Sequence, residues 1–462
     1  MDRRVAQKTV ELAAFLGFFL LLNACASSPE ARVRRMLRQS SGVVHLPSGV
    51  IEISSELTLA PGAHDLTIAG SNTTLRASNR FRGRAMVSSD GARNIRIIGL
   101  SIDGNRDQLA QPLEMAPPEN AFRVYYANNG ILFDRAQRLE ISNVHFTHIV
   151  NFAILISRSS GVRIANTTVG DSGSLDPRGR NNTTGGIVIE EGSSDFSVRD
   201  STFHNIRGNA LWTHSLYTSP RLNQGVFSDN HFDTVGRDAI EVAHASAVRV
   251  ERNTGTLIGY PAPLVDIEHG GTPVAMDTAG NVDHSSYLRN HFSEIDGKCI
   301  DLDGFHDGTV HENECVNRGA AADYPFGHFG IVMNNSNPDM QSVNIEISGN
   351  LIDGTRYGGL FVMGSGHRIV GNTFAHLDLA GCNESGAKFG CTYKQDEPEL
   401  LESGIYLSRG VARMEETRGN LIRDNKISGF KMKTRCIAAG PGVSLAANTI
   451  DGNQCRDDPA PR

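Results

Sequence analysis

The chain has one tryptophan and only 6% aromatic residues, so any indole platform for a ligand rests on Trp212 alone. It has no surplus of positive charge. Lys and Arg number 44 against 51 Asp and Glu, a net charge of −7, which leaves no basic field to draw in nucleic acid. No Cys-x-x-Cys pair or Cys/His knuckle is present, and this removes a structural zinc site. Beyond the first residues no apolar run is long enough to cross a bilayer. From Val43 onward the pattern shows no helical period, and short β-branched runs alternate with Gly, Pro and Asn.

The N-terminus is a targeting segment. Arg3, Arg4 and Lys8 precede an apolar run from Leu12 to Leu22. It ends in Leu22-Asn23-Ala24-Cys25, which resembles a bacterial lipobox with Cys25 as the lipidated residue. The chain is therefore expected to be exported and lipid-anchored in the cell envelope, with a membrane as one partner. Six cysteines then remain of seven. An even number in an exported chain suggests disulfides, and three local pairs follow: Cys299–Cys315, Cys382–Cys391 and Cys436–Cys455. Buried free thiols are the alternative for Cys299 and Cys315, which occupy inward slots.

What is abundant is glycine, 48 residues, and repetition. Strands of one form recur: Ala153-Ile154-Leu155-Ile156-Ser157, Gly186-Ile187-Val188-Ile189-Glu190, Ala210-Leu211-Trp212-Thr213-His214, Ala239-Ile240-Glu241-Val242-Ala243 and Gly330-Ile331-Val332-Met333-Asn334. Each alternates inward aliphatics with outward slots. A second signature, aliphatic-x-x-Asn-x-apolar, recurs as Phe227…Asn230…Phe232, Val310…Asn313…Cys315 and Ile422…Asn425…Ile427. Asn tolerates the left-handed conformation of a tight corner, and its amide can pair with the next Asn of a stack.

Imperfect repeats of three short strands specify a parallel β-helix. The chain lacks the Leu spacing of a leucine-rich repeat and the blade motif of a propeller. From about Val43 to Ile450 it resembles the right-handed parallel β-helix, pectate-lyase-like superfamily. The expected fold is all-β, a single-stranded solenoid with three short strands per coil. The expected organisation is a signal peptide over 1–24, a tether over 25–42, N-terminal coils and cap over 43–125, and the β-helix over 126–462. Residues 105–128 read as a loop inserted between strands.

Stacked coils place equivalent residues about 4.8 Å apart, so outward slots can be read as columns. Lys298-Cys299-Ile300-Asp301-Leu302-Asp303 carries two acids outward. Glu241 falls in the column of Asp301, and a hidden copy near Pro273 to Asp277 puts Asp277 beside Asp303. Asp238 and Lys298 lie at strand starts, and His306 in the following turn is placed to reach over the cluster. Like charges stacked this way repel, so the cluster needs a purpose: catalysis, a bound cation such as Ca²⁺, or a solvated patch. Relieved repulsion predicts that Asp301→Asn or Asp303→Asn leaves stability unchanged or raised.

The resemblance implies action on an acidic polysaccharide by hydrolysis or elimination. Asp301, Asp303, Glu241, Asp238, Asp277, Lys298 and His306 are the candidate catalytic residues. Trp212, His214, Glu190, His328 and Arg356 are candidates for substrate binding. No metal site is assigned, Ca²⁺ is the one candidate cofactor, and a monomer is expected. The polygalacturonase motifs Asn-Thr-Asp, Gly-His-Gly and Arg-Ile-Lys are missing. A non-catalytic carbohydrate-binding solenoid and a uronate epimerase are the rival readings.

Overall fold

The computed structural model describes residues 28–269, 271–337, 339–382, 400–410 and 413–458. The expected signal peptide, Cys25 and Cys391 lie outside the described residues. Every coil has the same course. Lys298–Asp303 lies on one face, Thr309–His311 on a second and Glu314–Val316 on a third, before the chain returns to the first face at Ile331–Asn334. All strand pairings between rungs are parallel, as between Lys298–Asp303 and Ile331–Asn334. The second face is a continuous sheet from Gly42–His45 to Thr449–Asp451, and the first and third faces are joined through the long strand Thr73–Asp90.

Alternation explains the packing. Inward residues form one apolar column from Val33 to Met432, with stacked rings such as Phe203 on Phe232 at 4.9 Å between centroids. Between the second and third faces runs a buried asparagine ladder. Asn230 Nδ2 donates to Asn253 Oδ1 at 3.0 Å, Asn253 to Asn290 at 2.9 Å and Asn290 to Asn313 at 2.8 Å. It continues through Asn350, Asn372 and Asn425 to Asn453. Each amide also caps a strand carbonyl, as Asn253 Nδ2 does to Phe227 O at 3.0 Å. The left-handed residue is not the Asn but the one before it: Arg252 (φ 53°), Arg289 (φ 53°) and Glu312 (φ 52°). The corner thus separates two jobs, turning the chain and satisfying buried polar groups.

Two disulfides among the described residues, Cys299–Cys315 and Cys436–Cys455, link the first-face and third-face sides of a coil. The Cys299–Cys315 bond excludes free thiols there, and both residues lie in the apolar column. Part of the expected tether is ordered. Pro29–Met36 is a helix capped by Ser28 Oγ on Ala31 N at 3.2 Å, with Val33 fully buried against the first rungs. Glu30 and Arg34 pair at 2.6 Å, and Arg34 Nη1 donates to Glu56 O at 2.7 Å. A cap, an i,i+4 ion pair and one buried apolar residue are enough to fold this short stretch onto the solenoid end.

Candidate functional site

Inward Ile240, Met276 and Ile300 stand in register on the first face, which fixes their outward neighbours. Trp212 pairs with Glu241, Glu241 with Asp277, and Asp301 with Val332. Asp277 therefore stands between Glu241 and Asp301 in one column, two residues away from the slot beside Asp303 that the repeat implied. The shift arises because residues 259–273 form a longer connection, including the turn Ala262–Leu264, so repeat spacing alone misplaces the strand start.

Asp238, one slot earlier, accepts from Val274 N at 2.9 Å. One oxygen each of Asp238, Glu241 and Asp277 lies within 4.8 Å of the others. Asn209 steadies two of them: its Nδ2 donates to Glu241 Oε2 at 2.5 Å and its Oδ1 accepts from Asp238 N at 3.4 Å. The Trp212 indole N–H is directed at Glu241 without reaching full hydrogen-bond geometry. Lys298 Nζ forms an ion pair with Asp301 Oδ2, whereas Asp301 Oδ1 is buried without a partner. Asp303 accepts from Ser336 N at 3.1 Å and Ser336 Oγ at 2.8 Å.

This crowding controls protonation. Burial, then the charge of Asp238, drives the Glu241 pKa well above the usual carboxylate range. Burial, then Asp238, Asp301 and Glu241, does the same to Asp277. Asp238 also rises through burial, against the opposing charge of Arg237. Asp303 is pushed up to about 6 by burial and by Asp301. Burial alone would lower the Lys298 pKa, but Asp301, Asp277 and Asp238 raise it above the ordinary lysine value. The group can thus hold protonated and ionised carboxyls side by side near neutral pH. Its three closest oxygens also suit a hard cation such as Ca²⁺, which takes oxygen donors.

Other expected site residues are used differently. Trp212 is only 7% exposed and lies beneath Phe122, 4.8 Å between ring centroids. Phe122 belongs to the 105–128 insertion, which folds back across Leu132, Phe152, Leu155 and Val188. His214 stacks on Phe122 at 3.9 Å. Glu190 is fully buried and accepts from Phe122 N at 2.8 Å and Arg123 N at 3.1 Å. These three residues hold the insertion and offer no open surface to a sugar. An outward apolar column attracts a cover because leaving it in water costs hydrophobic free energy.

His306 does not reach over the acids. It pairs with the second-face rung, where its Nδ1 lies 2.7 Å from Asp307 Oδ2 and its Nε2 3.0 Å from Asn281 Oδ1. Arg356 donates to the carbonyls of Tyr324, at 3.0 Å, and Pro325, so it secures the 319–327 loop. His328 does border the site. Its ring is driven down to a pKa of about 3 by burial and by Lys298, and its Nδ1 has no partner. Asn209, Ser336 and Tyr217 are site residues that repeat reading passed over. Asn209 occupies the same strand-start slot as Asp238, one rung earlier, so reading that column would have found it. Tyr217 and Ser336 come from loops, and no spacing signals them. The Tyr217 hydroxyl, pushed up to about 12 by burial and Asp303, accepts from Asn337 Nδ2 at 2.6 Å at the rim.

A solenoid of parallel rungs with a buried asparagine ladder and one acidic stretch defines the class of the protein. The model of the right handed beta helix region matches residues 39–219, 120–265 and 266–374, and the chain belongs to that family. No curated protein matches the sequence significantly. Among solved structures, the chain is similar to PfbA, a surface adhesin of Streptococcus pneumoniae: 15% identity, TM-score 0.52, 75% of this chain and 83% of that one. It is similar to the Dettilon tailspike protein at 15% identity and TM-score 0.53, over 75% of this chain and 64% of that one. Similarity to DFA-IIIase from Arthrobacter chlorophenolicus A6 has 12% identity and TM-score 0.52, over 91% of this chain and 92% of that one.

Proposed function

We propose that the chain is an exported, lipid-anchored β-helix that hydrolyses a glycosidic bond of an acidic polysaccharide at its acid cluster. The observation that carries this reading is the approach of Asp238, Glu241 and Asp277 within 4.8 Å. Three carboxyls so close cannot all ionise, so at least one is a stored proton beside an ionised neighbour. In this reading Glu241 is the general acid for the leaving oxygen. Asp301, ion-paired with Lys298, is the base, and its unpartnered Oδ1 accepts the proton of the attacking water. Two rungs separate them, roughly 9.6 Å at about 4.8 Å per rung, near the upper end of the spacing of an inverting pair, about 6.5–9.5 Å.

Elimination with Lys298 as base fits less well, because an amine must be unprotonated to take a proton and Lys298 is held charged. A fold shared with an adhesin and with DFA-IIIase does not choose between binding and cleavage. Incubation with a panel of uronate-containing polysaccharides makes the choice. New reducing ends without ultraviolet absorbance of an unsaturated uronate support hydrolysis. That absorbance would replace it with elimination, an altered uronate composition without cleavage with epimerisation, and binding without product with an adhesin-like role. The close oxygens also favour a second reading, a Ca²⁺ site. Activity or binding that a chelator abolishes and Ca²⁺ restores would establish it.

A further inference from the structure

Away from the acid cluster, where third-face strands turn toward the first face, a cleft of about 170 Å³ opens between Arg106, Arg207, Asn205, Thr234, Tyr260 and Asp171. That is more than ten times the roughly 10–15 Å³ that admits a single water. Fixed backbone presents its two arginines. Arg207 follows the strand Thr202–Ile206, and its amide donates to Ser172 O at 2.9 Å. Arg106 opens the 105–128 insertion, its amide donating to His148 O at 2.9 Å, while Asn105 Nδ2 beside it donates to Ala77 O at 3.0 Å.

Arg207 has no carboxylate partner among the described residues and makes one long hydrogen bond, to Gly173 O at 3.4 Å. Arg106 is paired only at long range: its side chain is 12% exposed, and its buried Nε makes no hydrogen bond but lies 3.7 Å from Asp107 Oδ1 in an ion pair with a side chain that is 75% exposed. The other polar groups of the cleft are engaged. Asp171 Oδ1 accepts from Asn205 at 3.1 Å, Thr234 Oγ1 donates to Asp233 at 2.9 Å, and Tyr260 donates to Asp323 O at 2.9 Å. Burial and the charge of Arg106 press the Arg207 pKa down, so the pair resists being left as it is.

We propose that this cleft is an oxyanion site in which Arg106 and Arg207 together hold a carboxylate or sulfate group. The guanidinium fork matches such groups bidentately, and partial burial strengthens the contact. The oxyanion comes either from an acidic sugar or from a free inorganic anion, and the site stands whether or not the acid cluster is catalytic.

The test is calorimetric titration and thermal melting of the whole chain with sodium glucuronate, sodium sulfate, and sodium chloride at matched ionic strength. Saturable binding of glucuronate or sulfate is expected, with a melting temperature above that in chloride. Arg207→Gln and Arg106→Gln should each weaken it about tenfold, the equivalent of one charge-assisted hydrogen bond, and Arg207→Lys should weaken it less. Glucuronate alone marks an acidic sugar as the occupant, and sulfate alone a free anion. No saturable binding beyond chloride overturns the proposal, as does binding undiminished in both glutamine variants. Should Arg207→Gln fail to fold, Arg106→Gln, at the start of the insertion, decides.

Discussion

One column on the first face holds two kinds of surface. Upstream it carries Leu132, Leu155, Val188 and Trp212, and over these the 105–128 insertion is docked. Three rungs then carry Glu241, Asp277 and Asp301, after which it turns apolar again at Val332, Phe361 and Tyr406, packed with Leu400 and Leu401. The rungs share one backbone and one register. Folding is done by the inward slots, so the outward slots are free to differ. Apolar slots recruit a cover through hydrophobic burial, whereas the acidic slots, though Glu241 and Asp301 are buried as deeply as Trp212, meet polar partners such as Asn209 and Lys298, since burying unpaired charge is costly. The acid cluster lies between two apolar stretches of the same column.

Catalysis should separate the two stretches most. Glu241→Gln and Asp301→Asn are expected to lower the initial rate of polysaccharide hydrolysis by about 10²–10⁴-fold, the range of a lost general acid or base. Trp212→Phe, in the covered stretch, should change it far less. A loss in Trp212→Phe as large as in Glu241→Gln would erase the division.

The next largest effect is on the cover itself. Phe122→Ala removes a ring packed on Trp212, Phe152 and His214 and should cost about 3–5 kcal/mol. Glu190→Gln, which weakens the acceptor of two backbone amides, should cost about 1–3 kcal/mol. Denaturant unfolding measures both. Limited proteolysis should cut within 105–128 before the rungs open, and first cleavage elsewhere would show that the insertion is not a separable cover.

Within the acidic stretch, stability should split by partner. Asp277 faces three carboxylates, so Asp277→Asn should leave the melting temperature unchanged or higher. Asp301→Asn strands the largely buried Lys298 and should lose about 3 kcal/mol, as for a broken buried pair. This reverses the expectation from repulsion alone, because Lys298 turns back onto Asp301. Equal melting temperatures for the two variants would show that the ion pair contributes nothing.

The smallest expected effect is on pH dependence. A carboxyl with a raised pKa binds its proton more tightly folded than unfolded. Its contribution is intact below the unfolded value, about 4, and is lost as pH rises through the folded value. Asp303, at about 6, should therefore make Asp303→Asn gain stability relative to the parent between about pH 4 and pH 7. A gap between their melting temperatures that stays constant over that range would show that Asp303 titrates normally.

Much of this was legible from residue order. Ile300 and Leu302 must face inward, which sends Asp301 and Asp303 outward, and the recurring Asn at 230, 313 and 425 announced a stacked ladder. Asp277 was assigned the right face and the right rung but the wrong slot along the strand, because the connection before it is longer than its neighbours. His306 and Arg356 were read as reaching the site, yet both are consumed by nearer partners. Local spacing says which way a side chain leaves the backbone, but not which loop returns to meet it.

By itself, then, the sequence determined the solenoid, its alternation of faces, the column carrying the acids and the local pairing of Cys299 with Cys315 and Cys436 with Cys455. These follow from period, composition and short separations along the chain. Only the tertiary structure decided that Phe122 would cover Trp212, that Ser336 would bind Asp303, and that Arg106 would line one cleft with Arg207. Each of those pairings joins residues about 30 to 100 positions apart, and they are set by loop paths and packing over the whole solenoid, which no local pattern encodes.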